Sequence, residues 1–132
     1  MERKPPQPLA QSFLLCRDIF QDRQTGEYLL IAPYSGLALP AFPAAFPVSL
    51  YIRLTGGHGT YRLNIQVRDE EGQVVGEILG AEPIPSADPL TACQICWRNL
   101  GLHIPRPGRY DLVLLANGED LAHHSLEVAL RA

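Results

Sequence analysis

Residues 61–68 alternate without a fault: Tyr61, Leu63, Ile65 and Val67 are set against Arg62, Asn64, Gln66 and Arg68. A period of two suits a strand with one buried face, because successive side chains leave a strand on opposite sides. The same pattern runs through Val48, Leu50, Ile52 and Leu54, with Ser49, Tyr51, Arg53 and Thr55 between them. The connector Gly56-Gly57-His58-Gly59 has hairpin length and composition, so the two stretches are expected to pair antiparallel. Beyond the turn Asp69-Glu70-Glu71-Gly72, Val74 and Ile78 are expected on the core side and Gln73, Val75 and Glu77 outside, completing a three-stranded meander.

Twelve prolines and eleven glycines leave few stretches able to run as a long helix. Three strand starts share the form Gly-x-Tyr, at Gly26, Gly59 and Gly108, with unequal spacing that argues against an internal repeat. At the C-terminal end, residues 110–116 and 121–130 flank Asn117-Gly118, the strongest short hairpin signal in the chain. A two-residue loop pairs Leu112 with His123, whereas a three-residue loop pairs Leu112 with His124 and Tyr110 with Leu126. The second gathers the apolar side chains on one face, so burial selects it. Further strands are expected at residues 13–19, 28–34 and 91–104, the last bent near Gly101. Residues 9–25 and 119–132 have some helical character, but their confident neighbours are strands, and strands are preferred for both. The fold class expected is all-β: an antiparallel two-layer sandwich of immunoglobulin-like, Greek-key type with about eight strands. Residues 1–9 are read as a flexible proline-rich tail and 10–132 as a single domain. Tyr110, preceded by Pro105 and Pro107, is placed as a corner tyrosine whose hydroxyl bonds back to main chain.

Eleven basic against fourteen acidic residues give a net charge of −3, so no global field attracts nucleic acid or an acidic membrane. No apolar run reaches the roughly 20 residues of a bilayer helix, and no hydrophobic signal segment follows the first eight residues. A cytoplasmic protein without membrane association is expected. Three cysteines, an odd number, argue against a disulfide-stapled module and for free, largely buried thiols.

The residues Phe13-Leu14-Leu15-Cys16-Arg17-Asp18-Ile19, Gly26-Glu27-Tyr28-Leu29-Leu30-Ile31, the proline-rich stretch through Phe46, the segment from Gly59 to Gly72, and Pro107-Gly108-Arg109-Tyr110 onward to Val128 carry a resemblance. The chain resembles an uncharacterised bacterial family of short proteins, catalogued as a domain of unknown function. The resemblance implies a β-sandwich over nearly the whole length and supplies no activity and no catalytic residue.

Several constellations invite chemistry. Cys93 and Cys96 form a CxxC, but a zinc knuckle needs a turn that converges both sulfurs, and residues three apart on a strand face opposite ways. Cys16 and His103 supply no second pair at metal spacing. His123-His124 with Glu127 suggests a cupin-like metal site, yet adjacent strand residues also diverge. His123 is therefore expected in solvent and His124 at the core margin, hydrogen-bonded. No catalytic residue, metal or cofactor is assigned.

Two surfaces remain. With residues 48–55 and 61–68 paired, Arg53 faces Arg62 beside Tyr51, a candidate anion site because opposed arginines repel unless an acid or anion intervenes. A surface Arg–Glu network through Glu77 is the plainer reading. Residues 36–47 carry Leu37, Leu39, Phe42 and Phe46 with three prolines and no charge. This stretch is read first as a lid over one end of the core, and otherwise as a docking surface centred on Leu39, Phe42 and Phe46. The leading functional expectation is a non-catalytic binding or assembly module, acting through a sheet edge or this stretch on an unidentified protein or a second copy of the chain as a homodimer. A metal-dependent enzyme or metal-binding protein using the Cys and His residues ranks second. A nucleic-acid or anion binder through Arg53 and Arg62 ranks third, and nucleic acid itself is not expected as a partner.

Overall fold

The structure, a computed structural model, describes residues 6–80 and 83–131; residues 1–5 of the expected tail lie outside the described residues. The elements are β1 (Leu9–Gln21), β2 (Tyr28–Pro33), β3 (Gly36–Leu39), β4 (Ala44–Thr55), β5 (Gly59–Tyr61), β6 (Leu63–Arg68), β7 (Val74–Leu79), β8 (Ile84–Ser86), β9 (Cys93–Ile104), β10 (Gly108–Ala116) and β11 (Glu119–Leu130). One sheet has the order β2-β1-β4-β9 and the other β3-β11-β10-β6-β7, while β5 and β8 form a small ribbon. All pairings are antiparallel except β3 with β11. The all-β sandwich expected from the alternation is present, with eleven strands in place of about eight because β3, β5 and β8 are short additions. Among the described residues, no helix is long and apolar enough to cross a membrane.

The core lies where the two sheets face each other. Leu15, Leu50, Ile52, Leu102 and Ile104 of one sheet meet Ile65, Leu112, Leu114 and Leu126 of the other, all fully buried. Each such side chain contributes roughly 1.5–3 kcal/mol on leaving water, so this interior dominates stability.

The expected pairing of residues 48–55 with 61–68 does not form: β4 lies between β1 and β9, whereas β6 lies between β10 and β7 in the opposite sheet. The glycine-rich connector is a corner that carries the chain from one sheet to the other. Gly57 is buried there, and a Cβ would meet Ser86 Oγ at 3.0 Å and the Tyr61 ring at 3.1 Å. The Tyr61 hydroxyl accepts the His58 N–H at 2.9 Å and donates to the Pro6 carbonyl at 2.5 Å. Tyr110 does the same at the other corner, donating to the Arg106 carbonyl at 2.5 Å as expected of a corner tyrosine.

Turn chemistry adjusts the registers elsewhere. The β6–β7 hairpin forms, but its bulge pairs Arg68 with Val74 and Val67 with Gly76, so Val75 turns inward and Val74 is exposed, the reverse of the alternation. In the C-terminal hairpin, Leu112 opposes His124 and Tyr110 opposes Leu126 as burial requires. The loop has two residues, not three: Asn117 and Gly118 both have positive φ, and a bulge that skips Leu121 absorbs the one-residue conflict. The irregularity in β9 falls at Asn99, φ 56°, and not at Gly101.

Candidate functional site

β1 serves two partners in succession. Residues 9–16 pair with β4, and residues 16–21 pair with β2 alone, so the β1–β2 hairpin leaves the sheet at Cys16. It lies over the outer face of the same sheet. Tyr28 meets Tyr51 with ring centroids 5.7 Å apart, Asp18 receives Arg98 at 3.1 Å, and the Arg98 guanidinium sits 5.1 Å from the Phe20 ring centre. The Arg98 hydrogen bond holds the Asp18 carboxyl below the usual carboxylate range. Beneath the hairpin, Cys16 and Ser49 oppose each other on the face that would otherwise meet solvent, and both are buried. Ser49 Oγ has no hydrogen-bond partner among the described residues.

Between the hairpin and the sheet opens a cleft of about 510 Å³, walled by residues 25–28 and Leu30 on one side and by Tyr51, Arg53 and Gln94 on the other. Alternation in β4 sends Leu50, Ile52 and Leu54 into the core and leaves Tyr51 and Arg53 on this outer face. The Tyr51 hydroxyl donates to Gln94 Oε1 at 2.6 Å, and Arg53 Nε donates to Gln11 Oε1 at 2.8 Å. The two terminal Arg53 nitrogens meet no carboxylate among the described residues. A guanidinium held at one nitrogen and open at the other two is poised to take a planar anion.

The Family of unknown function (DUF6941) matches residues 11–129. The chain belongs to this family. The match covers both walls of the cleft and both corner tyrosines. No curated protein matches the chain.

Of the candidate anion residues in this family member, Tyr51 and Arg53 come together and Arg62 does not. Arg62 lies between β5 and β6, its N–H donating to Asn117 Oδ1 at 2.9 Å, while Arg53 has Ser12 and Gln94 as cross-strand neighbours. The opposed arginines expected from a β4–β6 hairpin are therefore not formed, and Glu77 opposes Gln66. Residues 36–47 form β3, a turn and the start of β4. Leu39 is 5% exposed and belongs to the core, Phe42 and Phe46 are partly buried against it, and Phe46 meets Tyr34 edge-on. Tyr28, Glu27 and Gln94 escaped the sequence reading, because nothing in the alternation reveals that a hairpin folds over its own sheet.

The cysteines and histidines are dispersed as strand geometry requires. Cys93 packs inward beside Ile95, Cys96 faces outward, and burial pushes the thiols of Cys16, Cys93 and Cys96 above their ordinary value. His123 is exposed with Nδ1 2.6 Å from Asp111 Oδ2. His124 rests edge-on against Phe13, but its Nδ1 is buried without a hydrogen-bond partner among the described residues, contrary to the bonded histidine expected. No group of three His, Cys, Asp or Glu side chains able to hold a metal occurs among the described residues. A larger groove, about 690 Å³, lies at one end of the second sheet around Arg109, Asp111, Ser125 and Glu127. Its charges are internally matched, Arg109 with Glu127 at 2.7 Å and the neighbouring Arg106 with Asp69 at 3.0 Å.

Proposed function

We propose that the chain is a non-catalytic binding module whose contact site is the cleft between the β1–β2 hairpin and the first sheet. The observation that carries this reading is Arg53: a half-buried residue whose guanidinium is anchored by Gln11 and lines a cleft walled by Tyr28 and Tyr51. Aromatic walls with an oriented cation suit a small ligand bearing a carboxylate. The test is a thermal-shift screen of small carboxylic acids, amino acids among them, against the wild type and Arg53→Gln. Acids that raise the melting temperature of the wild type and not of the variant support the reading; no such acid refutes it.

A second reading, assembly with another copy of the chain, draws on the same hairpin. Phe20 and Leu29 are cross-strand partners, 48% and 53% exposed, on a sheet whose β2 edge is unpaired among the described residues. Light scattering decides it, since a monomer at high concentration excludes self-assembly.

A further inference from the structure

The charges around the cleft restrict its ligand further. Glu27 stands on the hairpin wall and Arg53 on the sheet wall, and they are the only acidic and basic side chains among the described lining residues. Neither forms an ion pair among the described residues. A simple anion drawn to Arg53 is repelled by Glu27, and a dianion such as phosphate feels both effects doubled, so neither gains much. A molecule with one positive and one negative end satisfies both walls. Leu30 and the two tyrosine rings offer apolar surface to whatever joins those ends.

We infer that the cleft takes a small zwitterion of the α-amino-acid type, its carboxylate on Arg53, its ammonium on Glu27 and an apolar side chain against Tyr28 and Tyr51. This rests on the cleft being the binding site, as proposed above. The Tyr51–Gln94 hydrogen bond fixes the sheet wall, while Glu27 sits at the hairpin tip, where Asp22 and Thr25 organise the turn through bonds to the N–H groups of Gln24, Thr25 and Glu27. Both charges are thus presented from braced backbone.

Three matched probes separate the contributions. L-Leucine carries both charges, 4-methylpentanoate lacks the ammonium and 3-methylbutylamine lacks the carboxylate. Each is titrated into the ¹⁵N-labelled full chain while the amide signals of Tyr28, Tyr51, Arg53 and Gln94 are followed. Leucine is expected to move these signals saturably and to bind about tenfold or more tightly than either fragment, with Glu27→Gln and Arg53→Gln each removing that advantage. If 4-methylpentanoate binds as well as leucine and Glu27→Gln changes nothing, the zwitterion assignment is overturned while the cleft stands as an anion site. If none of the three moves the four signals, both readings fall.

Discussion

Replacing Tyr110 by Phe removes one oxygen and nothing else. That oxygen donates to the Arg106 carbonyl at 2.5 Å and accepts the Arg106 N–H at 3.3 Å, on a ring only 2% exposed. A net hydrogen bond is worth about 0.5–1.5 kcal/mol, and a buried partner left unpaired raises the cost to about 1–3 kcal/mol. Arg106 is itself exposed, so water recovers part of the loss, and Tyr110→Phe is expected to cost about 1–2 kcal/mol. In a chain of this size that lowers the melting temperature by roughly 3–8 °C. Urea unfolding followed by fluorescence of the single tryptophan, Trp97, measures it, with an unchanged denaturant slope showing that the unfolded state is unaltered. Tyr61→Phe should lose a similar amount through His58 and Pro6, and because the two corners share no hydrogen-bond partner, the double variant should be additive to about 0.5 kcal/mol. A Tyr110→Phe variant within about 0.3 kcal/mol of wild type, the scale of an ordinary surface change, would refute the corner as a stabilising element.

A methyl group at Gly80 would clash with the Leu63 carbonyl oxygen, which is backbone and cannot swing away, so Gly80→Ala should destabilise by about 1–3 kcal/mol in a thermal melt. Asp69 accepts the N–H groups of Gln73 and Glu71 and the Arg106 guanidinium, and these hold its carboxyl below the usual range. Its contribution is therefore full above the unfolded-state value of about 3.9 and disappears as pH falls through the lower folded value. Asp69→Asn should flatten this part of the acid limb in a plot of unfolding midpoint against pH; an unchanged limb would count against it. Arg98→Ala removes both the Asp18 bond and the Phe20 stack, and labelling of Cys16 by a thiol reagent should accelerate roughly fivefold to tenfold if these contacts hold the hairpin down. Equal labelling rates would show that other contacts hold it.

Alternation revealed the fold class because each strand has one wet and one dry side. It did not reveal partners. Residues 48–55 and 61–68 carry the right faces for a hairpin or for facing layers of a sandwich, since both arrangements bury the same apolar rows. Gly59-Thr60-Tyr61 and Gly108-Arg109-Tyr110 both stand at corners where the chain changes sheets, but Gly26-Glu27-Tyr28 has the same form inside a hairpin of one sheet, so the motif alone does not tell the two apart. Half of the candidate site was legible, because Tyr51 and Arg53 had to share the outer face of one strand. Its other wall was hidden, as Glu27 and Tyr28 reach Arg53 only through a departure of β1 at Cys16 that no local pattern encodes. At Asn117-Gly118 the turn preference and the burial preference disagreed by one residue, and the chain met both with a bulge.

The split allegiance of β1 also separates two duties that usually compete. Its first half is stitched into the scaffold, while its second half and β2 stand outside the main hydrophobic interior, joined to it at Cys16 and near Tyr34. Residues 25–27 form part of one wall of the cleft proposed as the binding site, and changes of length or charge there would reshape that wall without repacking the layers beneath.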